Sequence, residues 1–137
     1  MDVLEQKATW NLKIAIIAEQ EKYYDVAVSR YYYSVLQIVA WLLKKEKVWD
    51  YHACTGIHSI IGDQLISFLQ NQIGTSKLKK KDYQFIGNWK KLKDEREHAD
   101  YEDDCLSDKQ RYDMFKERVK GLTGFLESNG LIPSLFK

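Results

Sequence analysis

Residues 26–43, VAVSRYYYSVLQIVAWLL, carry apolar side chains nearly all the way round a helix. A helix without a polar face does not lie on a surface; neighbours enclose it. The segment therefore calls for a bundle in which it is the central member. Arg30 stands inside it, and an enclosed charge is costly unless it is paired or lines a cavity. Arg30, Ser34 and Gln37 fall at i, i+4 and i+7, so they form one polar stripe with Tyr33 at its edge. The sequence thus predicts a buried Arg30 met by another polar segment, a second copy of the chain or a ligand.

The rest of the chain reads as helix as well. One proline, Pro133, and seven glycines in 137 residues favour long helices over sheet. Leu4, Ala8, Leu12, Ala15 and Ile16 recur at helical spacing, which predicts a first helix over 3–22. Asp25 suits the N-cap of the second, which runs to about Lys45. A third is expected over 57–71 through Ile57, Ile61, Leu65, Phe68 and Leu69. A fourth is expected over 83–101 through Phe85, Ile86, Trp89, Leu92 and Arg96. Ser107 caps a fifth, which continues through Tyr112, Phe115, Val119, Leu122 and Leu126 to about Ser128, where Asn129-Gly130 ends it. The expected fold class is all-α: an up-and-down bundle of four to five helices in a single domain, 1–137, with a core over 3–128 and a tail over 129–137.

Net charge is +1 and steers toward neither nucleic acid nor membrane. Its distribution is uneven, because residues 77–93 are basic and residues 94–104 are acidic apart from Arg96. No signal peptide is read at the start. The apolar run over 26–43 is interrupted by Arg30 and Gln37 and falls short of a membrane span. Cys54 and Cys105 are far apart and read as reduced thiols, so the expectation is a cytoplasmic protein with no membrane contact.

Few residues remain that carry chemistry. There is no Gly-rich phosphate loop, paired-histidine zinc motif or Cys-x-x-Cys, so no cofactor and no metal are expected. His52, His58 and His98 are scattered. The second polar cluster is Arg96-Glu97-His98-Ala99-Asp100-Tyr101, in which Arg96 and Asp100 share a helix face and can pair. Two arginines converging with tyrosines and a carboxylate suit phosphate, which takes a planar donor fork and stacking surfaces. Lys77, Lys79, Lys80 and Lys81, followed by Lys90, Lys91 and Lys93, offer a phosphate-contacting surface or a plain solvated one.

Three strings carry a resemblance. Ser29-Arg30-Tyr31-Tyr32-Tyr33 resembles the S-R-x-Y-Y segment of bacterial and archaeal HEPN domains. Gly56-Ile57-His58-Ser59-Ile60-Ile61 resembles that family's H-S-G-[VLI]-I segment, and Arg96 to Tyr101 resembles its R-x-x-A-D-Y segment. They occur in the family's order across residues 4–126. The resemblance implies a bundle that dimerises. It also implies RNA cleavage or RNA binding, often beside a minimal nucleotidyltransferase antitoxin or another defence-system protein in toxin–antitoxin and phage-defence systems. Active HEPN ribonucleases use an arginine followed along the same helix by a histidine, without metal, at a cleft shared by two protomers.

The sequence departs from that pattern. After Arg30 and six intervening residues stands Gln37 where a histidine is expected, and an amide is no general acid or base. His98 lies too close to Arg96. His58 is the candidate for the missing imidazole, giving Arg30, His58 and Arg96 as catalytic candidates. Tyr33, Ser34, Gln37, Asp100, Tyr101, Lys79, Lys80 and Lys81 are the binding candidates. Two readings stay open: a metal-independent endoribonuclease toxin, and a catalytically silent module that binds RNA, a nucleotide or a protein partner. In the second, Arg30, Gln37, Arg96, Asp100 and Tyr101 would share one network.

Overall fold

A computed structural model describes residues 2–49, 55–73, 87, 89–101 and 109–136. Within them lie five helices and no strand: α1 (Val3–Gln20), α2 (Tyr24–Lys45), α3 (Ile57–Ile73), α4 (Trp89–Tyr101) and α5 (Lys109–Ser128). The chain forms an all-α helical bundle. The expected residues Phe85, Ile86, Ser107, Cys54, Cys105 and His52 lie outside the described residues, as do Lys77, Lys79, Lys80 and Lys81.

α1 starts where the Asp2 carboxylate accepts from Leu4 N–H at 2.8 Å, satisfying one of the free donors of the first turn. The same carboxylate meets Lys44 at 3.5 Å, so the start of α1 lies beside the end of α2 and the two run antiparallel. Further along, the Ser34 hydroxyl donates to Ala8 C=O at 2.7 Å. Ala8, Ala15 and Ala18 on α1 and Ala27 and Ala40 on α2 are fully or nearly fully buried. Such small side chains let the two backbones approach closely. Lys22, with φ of 62°, turns the chain between them.

α2 packs against all four other described helices. It is long and apolar enough to cross a membrane, but 72% of its most apolar window is buried inside the bundle, the property of a core helix. Tyr32, Val35, Ile38, Val39, Leu42 and Leu43 fill the centre with Ile61, Leu65 and Leu69 from α3, Leu92 from α4, and Phe115, Leu122 and Leu126 from α5. Gly130, with φ of 68°, ends α5, and the tail folds back to bury Ile132.

Several expectations are corrected. Tyr23 occupies the cap position of α2 without a side-chain bond, and Asp25 sits inside the first turn, where its charge favours the helix dipole. Ile16 is 40% exposed, and Ala18 takes the core position instead, because the packed face of α1 follows 4, 8, 12, 15 and 18. Arg30 is exposed. The narrow strip of α2 that its neighbours leave open is the strip of Arg30, Gln37 and Lys44, so the one charge inside the apolar segment reaches water.

On the side of α2 facing α5, the Glu19 carboxylate accepts from Lys116 Nζ at 2.8 Å and from Tyr112 Oη at 2.7 Å. Lys116 also donates to Tyr31 Oη at 2.9 Å. Burial pushes the Glu19 carboxyl upward, but these two donors and the nearby lysine charges outweigh it and hold the group below its usual range. This cluster fixes α5 to α1 and α2.

Candidate functional site

Three consecutive tyrosines on a helix point about 100° apart, and Tyr31, Tyr32 and Tyr33 use that divergence. Tyr31 turns to Lys116, whereas Tyr32 and Tyr33 turn toward α3 and α4. There they meet Arg96, which α4 carries on its inner face with Trp89 and Leu92.

Arg96 is only 5% exposed. Its guanidinium carbon lies 5.4 Å from the Tyr32 ring centre and 5.8 Å from the centres of Tyr33 and Tyr101. Aromatic faces attract a cation, most strongly where water is excluded. Two carboxylates form ion pairs with it, Asp100 at 3.6 Å and Glu97 at 3.8 Å, at distances too long for good hydrogen bonds. Arg96 Nε is buried with no hydrogen-bond partner. A buried donor without a partner carries its full desolvation cost, so the cage holds a cation whose donor capacity exceeds what surrounds it.

His58, in the first turn of α3, completes the group. Its Nδ1 lies 2.8 Å from Tyr32 Oη, and the two rings stack at 5.6 Å. Burial pushes the Tyr32 phenol far above its usual range, so the hydroxyl keeps its proton. Burial, then the positive charges of Arg96 and Lys93, push the His58 imidazole below its ordinary value against the pull of Glu97. The imidazole is therefore neutral near pH 7. The direction of the Tyr32–Nδ1 bond and the tautomer go together: where the phenol donates, the ring proton sits on Nε2. In that tautomer Nε2–H is a hydrogen-bond donor and the ring's lone pair, on Nδ1, is held by Tyr32.

Beside the cage, α3 and α4 frame a cleft of about 280 Å³ lined by Ser59, Asp63, Ile66, Trp89, Lys90 and Lys93, among others. Trp89 donates its indole N–H to His58 C=O at 3.0 Å. Gly62 makes room for that ring: a Cβ there would lie 2.5 Å from Trp89 Cδ1. Lys93 reaches Ser59 Oγ at 3.4 Å and Glu97 at 3.9 Å, so its ammonium sits between cleft and cage.

Family models, characterised proteins and solved structures give no match to this chain. The site must be read from its own geometry.

That geometry brings together His58, Arg96, Tyr33, Asp100 and Tyr101 from the sequence candidates, and separates Arg30, Ser34 and Gln37. Arg30 Nη1 donates to Asn11 Oδ1 at 3.2 Å, and Asn11 Nδ2 donates to Gln37 Oε1 at 2.8 Å. Arg30 and Gln37 of the polar stripe thus meet one asparagine of α1 while Ser34 bonds Ala8 C=O, and Arg30 and Asp100 belong to different networks. His98 turns to Arg111 at 3.4 Å, on the side of α5. Lys79, Lys80 and Lys81 lie outside the described residues. Among the described residues no cluster of metal-ligating side chains occurs. Tyr32, the residue that joins His58 to Arg96, is not among the sequence candidates. Its position two residues after Arg30, on the opposite side of the helix from the polar stripe, is the signal that could have found it.

Chemically, a caged arginine with an unpartnered Nε, a neutral imidazole and a nearby ammonium stand together, offset by the carboxylates of Glu97 and Asp100.

Proposed function

We propose that this protein is a HEPN-like module that binds RNA, with backbone phosphate recognised at Arg96, His58 and Lys93 and an unstacked base in the α3–α4 cleft beside Trp89. The buried, unpartnered Nε of Arg96 carries the reading. A phosphate oxygen would satisfy it once the tyrosine cage opens, since the atom is closed off from solvent, and planar guanidinium is the donor best suited to phosphate. Single-stranded nucleic acid binds where cationic and aromatic groups alternate, as Lys90, Lys93, Trp89, Tyr33 and Tyr101 do. By the same reading the protein works in the cytoplasm as part of a toxin–antitoxin or phage-defence system. It would do so as a homodimer and beside a nucleotidyltransferase antitoxin or another defence protein.

A second reading, metal-independent RNA cleavage, is favoured by one observation: His58 and Arg96 share the Tyr32 ring. Cleavage would require His58 to take a proton from a ribose 2′-OH, and so to move its own proton from Nε2 to Nδ1.

The test is fluorescence anisotropy with a labelled single-stranded RNA over a salt series, beside a cleavage assay in EDTA. Binding that falls steeply with salt and weakens at least tenfold in Arg96→Met supports the phosphate site. Equal affinity of wild type and variant removes it. Cleavage by wild type that His58→Gln abolishes selects the second reading.

A further inference from the structure

α1, α5 and the C-terminal tail frame a cavity of about 180 Å³ on the side to which Tyr31 turns. Its walls are apolar: Leu12 and Ile16 from α1, Val119 from α5, Leu135 and Phe136 from the tail. Leu12 and Val119 are buried, and Thr123 beside them gives its hydroxyl hydrogen to Val119 C=O at 2.8 Å. Ile16, which departs from the packed face of α1, lines this cavity instead. The tail is fixed where Phe136 N–H donates to the Glu127 carboxylate at 3.2 Å. An apolar cavity of about 150 Å³ takes benzene, so this one has room for a single ring or a short acyl chain.

The polar edge of the cavity is made by Tyr31, Lys116 and Lys120, and it presents donors. Tyr31 Oη accepts from Lys116 Nζ at 2.9 Å, so the phenol hydrogen is left over, and no described residue accepts it. Tyr31 is 4% exposed, and a buried donor without an acceptor is costly. Lys116 uses two of its three N–H groups, on Glu19 and Tyr31. Lys120, one turn further along α5, is exposed and forms no ion pair with a described residue. The carboxylate beside this edge, Glu19, already accepts from Lys116 and Tyr112 through Oε1. Its one charge stands against two ammonium groups.

We infer that this cavity binds a small organic carboxylate, its apolar body the size of a benzene ring between α1 and the tail and its carboxylate on Tyr31 and Lys120. The edge has hydrogens to give and no free acceptor on its lining, and an ionised carboxylate is the head group that only accepts. An alcohol or amine would bring a hydrogen of its own that the edge does not take. Mostly apolar walls with a few convergent polar groups are the usual make-up of a small-molecule site. The inference is independent of RNA binding and of the arginine cage, which lies on the other side of α2.

Benzoate is the probe, and benzyl alcohol, of the same shape without the charge, is its control; each is titrated into the full chain and followed by amide NMR. Benzoate should move the signals of Leu12, Ile16, Val119 and Leu135 and bind several-fold more tightly than benzyl alcohol. Lys120→Met should remove that margin at an unchanged melting temperature, because the side chain is exposed. Ile16→Trp, at a position 40% exposed, should fill the cavity and weaken both probes without unfolding the bundle. Signals that move only on α3 and α4 would place benzoate at the arginine cage and overturn the site. Equal affinity for the two probes, or a margin that survives Lys120→Met, overturns the carboxylate. Binding unchanged by Ile16→Trp overturns the cavity.

Discussion

The hydroxyl of Tyr32 lies 2.8 Å from Nδ1 of His58, and this bond decides which ring nitrogen keeps the proton. Tyr32→Phe removes the donor and leaves Nδ1 without its partner, at a cost of about 1 kcal/mol. Denaturant unfolding should show that loss. Nitrogen-shift NMR of the imidazole should show the proton redistributing between the two nitrogens. An unchanged tautomer would mean that Tyr32 does not set it.

His58 also gives the fold a pH dependence of known sign. Its folded-state value is pushed below the usual 6.5, by burial first and then by Arg96 and Lys93. As pH falls through the unfolded-state value, the unfolded chain takes up the proton first, so stability falls. The loss is complete once pH is below the folded-state value. His58→Gln lacks this contribution. The melting temperature of wild type should therefore fall relative to the variant between about pH 7.5 and 5. Parallel curves would contradict the shift.

Arg96 separates stability from binding. Arg96→Ala empties the tyrosine cage and should cost about 2–3 kcal/mol. Arg96→Met keeps most of the volume and removes the unpartnered Nε, so it should stay within about 1 kcal/mol of wild type. Both should lose RNA binding. If Met is as destabilising as Ala, the guanidinium itself stabilises the bundle.

Arg30→Ala should change stability by less than about 1 kcal/mol, because the side chain is exposed and its one bond, to Asn11, is solvent-accessible. Combined with Asp100→Ala the effects should add, since the two residues share no partner. A coupling energy above about 0.5 kcal/mol would join the networks that the structure keeps apart.

Gly62→Ala sets a helix gain of about 1 kcal/mol against a steric clash with Trp89 that costs about 1–3 kcal/mol. The Cβ would lie 2.5 Å from Cδ1 and 2.7 Å from Nε1 of a nearly buried indole that bonds His58 C=O. Net destabilisation should appear as a lower melting temperature. A rise would mean that Trp89 moves freely.

By itself the sequence determined the helices and the centre. Apolar residues all round 26–43 made α2 the enclosed helix, and the periodicity of the others, with Asn129-Gly130 closing the last, placed their described core faces apart from Ile16. It also determined the i, i+4 relation of Arg96 and Asp100, which a single helix fixes. Tertiary structure decided the rest. Whether Arg30 is buried depends on which 100° sector of α2 its four described neighbours leave open, and that sector is its own. Whether His58 meets Arg30 or Arg96 depends on the side from which α3 approaches. Helical periodicity records which residues share a face. It does not record which other helix that face will meet, or whether, as on the outer side of α1, the bundle leaves it bare.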